Sequence, residues 1–419
     1  MDPLDVIVVG AGAAGLLAAT HAAERGLKTL LLEKTPRVGT KILMSGGTRC
    51  NITHATDRRG IVQAFGSQGR FLHSALSRLG PEDVVAFVEN EGVRTKTEEG
   101  GKIFPVSDKA SDVLAAFMQR LNRTSCGIAL NEPVLKMERE GDGFCVTTPT
   151  RSLSTRKLIV TVGGQSYPGS GTTGDGYPWM KSFEHSVITP RPALTPVTSH
   201  AGWVTKLKGL TIPDTNLKLI QNQSSYSLHQ LTSSKPIDVR RGSLLFTHFG
   251  LSGPVAMDIS RSITGHDSPS DLRIVCDFLP EQSYDDVAKE VSTMCQSDGK
   301  KQCASVVGQF LPRRLADAVL HETGIRGDMR TAEISKKDRS KIVDSIKRSV
   351  IPVSGTRGFK KAEVTAGGVS LKEVDSKTMQ SRIVPNLFLA GEILDLDGPI
   401  GGYNFQAAFS TGWLAGASV

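Results

Sequence analysis

Residues 5–15 read DVIVVGAGAAG. An unbroken apolar run over 4–9 ends on Gly10-Ala11-Gly12-Ala13-Ala14-Gly15, and a helix-forming stretch follows over 13–25. A second apolar run over 28–33 closes on the acidic Glu33. No other pattern in the chain limits the fold so tightly. A continuous apolar run is how a strand buried on both faces of a parallel sheet reads. GxGxxG between such a strand and a helix, with an acid at the end of the next strand, describes a βαβ unit shaped for a dinucleotide. Gly10 permits the tight turn, Gly12 lets the backbone approach a pyrophosphate, and Gly15 lets helix and strand pack closely. The helix start at Ala13 and Ala14 offers free N–H groups and positive dipole to the phosphates. Glu33 is expected to accept from the adenosine ribose hydroxyls, with Lys34 beside it.

The next segment, GTKILMSGGTRCNITH at 39–54, separates FAD from NAD. The ribityl chain and ring of FAD need polar groups and close backbone approach beyond the pyrophosphate. Lys41, Ser45, Gly46, Gly47, Arg49, Cys50 and Asn51 supply both, where NAD enzymes generally place a crossover helix. The far end of the chain repeats the glycine language. Strand NLFLAG delivers Gly391 and Glu392, and DLDGPIGG feeds a helix beginning YNFQ. Gly401, Gly402, Tyr403 and Asn404 fall at that helix's start. A helix N-terminus there would stabilise negative charge on a reduced flavin, and Glu392 or Asp397 would bind ribityl hydroxyls. The two chain ends are thus expected to meet around one cofactor. Val134, Thr161 and Gly163 complete the expected cofactor-binding set.

SGGTRCNITH, IFPVSDKASDVL (103–114), GGQSYPGSGTTGDGY (163–177), LLFTHFGLSGP (244–254), AEVTAGGVSLKEVD (362–375) and AGEILDLDGPIGGYNFQ (390–406) occur in that order. Together they resemble the BaiN/RdsA-like family of bacterial NAD(P)/FAD-dependent oxidoreductases, flavoproteins of the HI0933-like type, over nearly the full chain. The resemblance implies an α/β fold. A Rossmann-type, glutathione-reductase-like FAD domain would form from both chain ends, with a β-barrel-like insert and a small helical domain nested in it. It also implies non-covalent FAD. One family member is associated with reducing conjugated double bonds in 3-oxo bile acids, and others with amine oxidation. This chain departs from the family's usual SGGGRCN pattern, carrying Thr48 in place of a glycine and His54 in place of an asparagine. It also has Thr161-Val162-Gly163-Gly164 where the family favours Ala-Thr-Gly-Gly.

The remaining sequence divides accordingly. Helices are expected at 81–92 and 107–121, a hairpin turn at EEGG 98–101, and strands around the EGDG turn at 140–143. Prolines punctuate 178–213. Residues 192–275 read as β-rich, and 281–350 as charged and helix-periodic. The expected domains are 1–191 with 358–419 for FAD, 192–275 with 346–357 for the barrel-like substrate domain, and 276–345 for the helical insert.

The chain has 419 residues and a net charge of +8. That charge suits an anionic cofactor or substrate, and most basic globular proteins carry it only as solvated surface. None of the six cysteines is spaced CxxC, which argues against a metal site or disulfide framework and fits a reducing cytoplasm. Asp2 and Asp5 stand where a secretory signal needs Lys or Arg, and no apolar run reaches membrane-spanning length.

Several motifs carry two readings. Gly169–Gly174 is a second literal GxGxxG, but Pro168 precedes it and Gly176 and Pro178 break any helix start, so it reads as a structural or flavin-flanking loop. NAD(P)H is then a transient reductant without its own Rossmann domain. Cys50 is a small packed residue, or else a thiol beside the ring or an attachment point. His248 and Tyr403 are the candidate catalytic residues, Tyr403 as proton donor; each could instead serve only in packing or hydrogen bonding. The Lys/Arg-rich helices read first as solvated surface and second as an RNA face. The expected function is NAD(P)H-driven reduction of a small organic acceptor, such as an enone. An amine-type oxidase comes second and a flavin-containing RNA-associated protein third. Neither a membrane nor a stable nucleic acid partner is expected, and no motif speaks to oligomeric state.

Overall fold

The computed structural model describes residues 4–222 and 228–419, which divide into two compact units. The first runs to Pro192 and resumes over Glu363–Val419; the second is Ala193–Ala362.

In the first unit, strand β1 (Leu4–Val9) leads into helix α1 (Ala13–Glu24) and strand β2 (Thr29–Leu32). Val6, Ile7 and Val8 are wholly buried, as a central parallel strand requires. β1 pairs in parallel with β2 on one side and with Ser152–Val160 on the other. β2 pairs in parallel with Gly127–Ala129, and the end of Ser152–Val160 pairs in parallel with Leu387–Leu389. The strand just before the last glycine cluster therefore lies one strand away from β1. Antiparallel strands Gly143–Thr147 and Lys136–Glu140 complete the seven-stranded sheet.

Helix α1 buries Leu16, Leu17, Ala18, Ala19, Ala22 and Ala23, apolar on nearly every side, as a helix packed on two faces must be. One of its neighbours is the C-terminal helix Tyr403–Ser418. The contact is made possible by small residues: a Cβ at Gly412 would lie 2.2 Å from the Ala14 carbonyl oxygen, and one at Gly416 2.4 Å from that of Ala18. The polar residues of the C-terminal helix are satisfied internally. Thr411 donates to the Ala407 carbonyl, and Gln406 and Ser410 both donate to that of Leu79.

The second unit holds a seven-stranded antiparallel sheet, ordered Ser349–Pro352, Leu272–Asp277, Thr211–Gln221, Asp238–Thr247, Gly250–Ser252, Val197–Thr198, Gly355–Thr356. Helices Tyr284–Ser297, Arg313–Thr323 and Lys336–Lys347 share one apolar core with it, through Val287, Val319 and Ile346 among others against Leu217, Phe246 and Ile274. The β-rich reading of 192–275 overlooked the helix Pro254–Thr264. Its buried Val255, Ala256, Ile259 and Ile263 keep helical spacing, and Pro254 sits at the first helical position, where its missing N–H costs nothing.

Candidate functional site

The first glycine cluster forms the turn leaving β1. Gly10 N–H donates to the Leu32 carbonyl and Thr161 N–H to that of Val9. The Thr161 hydroxyl donates to the carbonyls of Val9 and Gly10, so Thr161 holds the turn from the adjacent strand, with Gly163 two residues on. A Cβ at Gly15 would lie 1.8 Å from the Gly10 carbonyl oxygen; only glycine lets the helix start that close. Gly12 behaves differently. A Cβ there would meet nothing within 4 Å, and it caps α1 with no side-chain hydrogen bond. The protein's own packing does not need glycine at 12, and the N–H groups at Ala13 and Ala14 are left for a ligand.

Glu33 sits at the end of β2 and its carboxylate accepts from the backbone N–H of Ala11 and of Thr35 at 2.9 Å each. A carboxylate has about four acceptor positions, so capacity for ribose hydroxyls remains. Lys34 turns away, pairing with Asp175 and donating to Thr173. This brings the second GxGxxG loop onto the turn after β2, where a Cβ at Gly171 would lie 2.7 Å from the Thr35 side chain. The loop therefore flanks the first cluster. Asn131 and Glu132 also bond this turn, to the carbonyls of Thr35 and Glu33, which places Val134 just beyond it.

The segment after β2 forms one helical turn, Thr40–Met44, then a 3-10 turn over Ser45–Thr48 containing Gly46 and Gly47. Lys41 and Glu392, 351 residues apart, form an ion pair at 2.7 Å. The other Glu392 oxygen accepts from Thr365 N–H. Gly391 N–H donates to Thr411 in the C-terminal helix, and a Cβ at Gly391 would lie 2.9 Å from that of Ala14. Arg49 is held differently: its guanidinium pairs with Glu98 and Asp108 and lies 4.1 Å over the Phe104 ring. Cys50 is wholly buried, and burial pushes its thiol up to about 12, away from the thiolate that a nucleophile needs. Asn51 Oδ1 is buried and has no hydrogen-bond partner.

At the far end, Gly402 caps the C-terminal helix at φ +95°, and a Cβ there would lie 2.6 Å from the Thr53 backbone. No side chain caps this helix either. Asn404 clamps the preceding loop, accepting from Gly398 N–H and donating to the Gly398 and Pro399 carbonyls. Asp397 is buried in that loop. Tyr403 stacks on His54, ring centroids 4.5 Å apart, while His54 Nδ1 lies 3.1 Å from the Gly401 carbonyl oxygen. His248 belongs to the second unit, exposed in the turn between Asp238–Thr247 and Gly250–Ser252.

Two further residues join the site without a role in the sequence reading. Tyr177 has a buried hydroxyl with no partner, and burial first, then Glu392 and Asp395, hold its pKa well above the ordinary 10. Thr365 gathers the N–H groups of Gln165 and Ser166 on its hydroxyl. Both lie in motifs quoted above, GDGY and AEVTAGG, but nothing local marks either side chain as buried and polar.

Two helix starts without side-chain caps, an open Gly12 and an orphaned Asn51 carbonyl fit FAD, a long ligand with phosphates, hydroxyls and a ring rich in donors and acceptors. The family described as HI0933-like protein Rossmann domain matches residues 4–418. The chain belongs to that family. HI0933-like proteins have a Rossmann-type FAD-binding fold, and this member is a FAD-dependent oxidoreductase. It is 32% identical over 421 residues to the ribosomal RNA dihydrouridine synthase of Haemophilus influenzae, covering 99% of this chain and 98% of that one. Identity to the enzyme of that name from Escherichia coli is 30%, covering 99% and 97%. Identity to the 3-dehydro-bile acid delta(4,6)-reductase of Clostridium scindens is 28%, covering 98% and 97%. Among the described residues, no helix of this HI0933-like protein is long and apolar enough to cross a membrane, and no cluster of three His, Cys, Asp or Glu could hold a metal ion.

Proposed function

We propose that this protein uses FAD and a nicotinamide nucleotide to saturate a carbon–carbon double bond conjugated with a carbonyl, and that the bond is C5=C6 of uridine in ribosomal RNA. The observation that carries this is the shared chemistry in the names of three relatives matched along their whole length. Dihydrouridine is uridine saturated at C5–C6, beside the C4 carbonyl, and a Δ4,6 3-dehydro-bile acid has its double bonds conjugated with the C3 carbonyl. RNA rises from last in the sequence-based order because the two relatives at 30% and 32% identity are named for it. A 3-oxo enone is the second reading, favoured by the relative at 28%.

FAD held here and reduced by the nicotinamide nucleotide would supply a hydride for the carbon β to the carbonyl. The chain's residues do the rest. Gly12 and the first turn of α1 receive the pyrophosphate, and Glu33 accepts from the ribose. Asn51 and Tyr177 bring buried polar atoms whose desolvation is offset only when a ligand bonds them. The start of the C-terminal helix at Gly402 stabilises negative charge. The α-carbon needs a proton, and Tyr403 Oη is the candidate donor, its ring steadied by His54.

Purified protein is incubated anaerobically with NADPH or NADH and ribosomal RNA from cells lacking the protein, and the nucleosides are then analysed by mass. Nucleotide-dependent conversion of uridine to a species 2 Da heavier (roughly two hydrogens gained) is the expected result. Reduction of a 3-oxo-Δ4 steroid with no change in the RNA would keep the chemistry and move the substrate. Failure on both, with flavin bound, would remove the reading.

A further inference from the structure

The positive charge of the chain is not evenly divided. Residues 193–362, the second unit, hold 24 Lys and Arg against 17 Asp and Glu, a net +7 of the chain's +8. Part of that charge is internally matched: Arg241 pairs with Asp214, Arg313 with Asp317, Lys347 with Asp277 and Arg348 with Asp344. One place on the unit sets unpaired basic side chains against an aromatic ring. The strand Gly355–Thr356 pairs with Val197–Thr198, which pairs in turn with Gly250–Ser252. This register sets the turn bearing His248 and Phe249 beside the segment starting at Arg357. Ser199 N–H donates to the Phe249 carbonyl and Arg357 N–H to that of Pro196, fixing both backbones. The Arg357 guanidinium then lies 4.6 Å over the Phe249 ring, and His248 meets the same ring edge-on at 4.9 Å. His248, Arg357, Lys360 and Lys361 are exposed. Among the described residues, no carboxylate forms an ion pair with Arg357, Lys360 or Lys361.

We infer that this cluster is a contact surface for single-stranded RNA. An arginine held over an aromatic ring has its side away from the ring available, and guanidinium and imidazole planes are what unstacked bases pack against. Unmatched lysines next to them take phosphates and release counterions. A patch meant only for solubility needs no aromatic partner. One meant for a protein's acidic face would prefer its arginine free to fork onto carboxylates rather than stacked. The inference rests on the RNA reading above, and it names the surface that would present a loop of RNA to the enzyme.

The test is fluorescence anisotropy with a fluorescein-labelled decauridylate and the full flavin-loaded protein at low salt. Arg357→Ala and Phe249→Leu should each weaken binding about tenfold, the loss of one stacked base. Arg357→Lys should fall between, because charge is kept and the plane is lost. Lys336→Ala, a lysine on a helix elsewhere in the same unit, controls for charge alone and should change affinity less than about twofold. A duplex RNA of equal phosphate number should bind more weakly than the decauridylate. Equal losses for Arg357→Ala and Lys336→Ala, duplex binding as tight as single strand, or no binding by the unaltered protein would each overturn the inference. Melting curves identify any variant that has merely unfolded, and Arg357→Lys, which spares the fold, then decides. Dihydrouridine formation is measured in parallel on the unaltered protein. If it occurs while Arg357→Ala binds normally, the function stands and only this surface is wrong.

Discussion

Gly12 and Gly15 show how two glycines of one motif can be required by chemistry of different kinds. Gly15 has no room for a Cβ, because the Gly10 carbonyl stands 1.8 Å from where it would be. Gly12 has nothing of the protein within 4 Å, so its missing side chain serves only what comes from outside. Gly12→Ala should therefore fold, losing no more than about 1 kcal/mol at the helix start, yet retain at least roughly tenfold less FAD, since a methyl group would stand where the phosphates approach. Flavin absorbance per mole of protein, together with the melting temperature of the flavin-free form, reads both. Full flavin occupancy in Gly12→Ala would take the pyrophosphate away from this turn.

At the level of elements, the decisive contact is between α1 and the C-terminal helix. It seats the start of α1 against the middle of the C-terminal helix, using Gly412 and Gly416 against the Ala14 and Ala18 backbone, and so fixes where the start of that helix lies. Overpacking such a contact costs typically 1–3 kcal/mol, sometimes more. Gly412→Val is expected to lower unfolding stability by about 2 kcal/mol or more, and to reduce flavin content along with it, because the two helix starts can no longer hold their spacing. Denaturant unfolding of both proteins measures the first effect and absorbance the second. A stable Gly412→Val protein with full flavin would mean that the two ends need not pack tightly to make the site.

Across the whole molecule, acid should act through histidines kept neutral by burial, His185 fully and His21 in part. Burial holds the pKa of His21 and of His185 below the ordinary 6.5, against the opposing pull of the Trp413 carbonyl on His21 and of Glu373 on His185. Unfolded, each takes up a proton near pH 6.5; folded, each does so only at lower pH. Stability is therefore full above about pH 6.5 and declines as pH falls below it, by at most about 1.4 kcal/mol per pH unit for each imidazole. Melting temperatures between pH 7.5 and 5 should drop, and His185→Gln should flatten the decline. A midpoint unchanged over that range would show that neither imidazole stays neutral in the fold.

Much of the fold was legible because its signals are local. The apolar runs over 4–9 and 28–33, the helix between them and the helix from Pro81 need only periodicity and glycine spacing, and the structure places them at Leu4–Val9, Thr29–Leu32, Ala13–Glu24 and Pro81–Asn90. The α/β, dinucleotide-binding character followed from the first of these, and FAD over NAD from the glycine-rich, polar segment 39–54. The helix Pro254–Thr264 was missed because short threonine- and serine-rich strands surround it and its apolar spacing is brief. What tertiary structure alone decided is which side chains meet. No local pattern pairs Lys41 with Glu392, stacks His54 on Tyr403, commits Arg49 to Glu98, or leaves Tyr177 buried without a partner. The same holds for Arg357 lying on Phe249. Local geometry follows from the few residues around a position, so the sequence determines it there. A contact across hundreds of residues depends on how close two packed elements come, and that distance is set by every side chain between them.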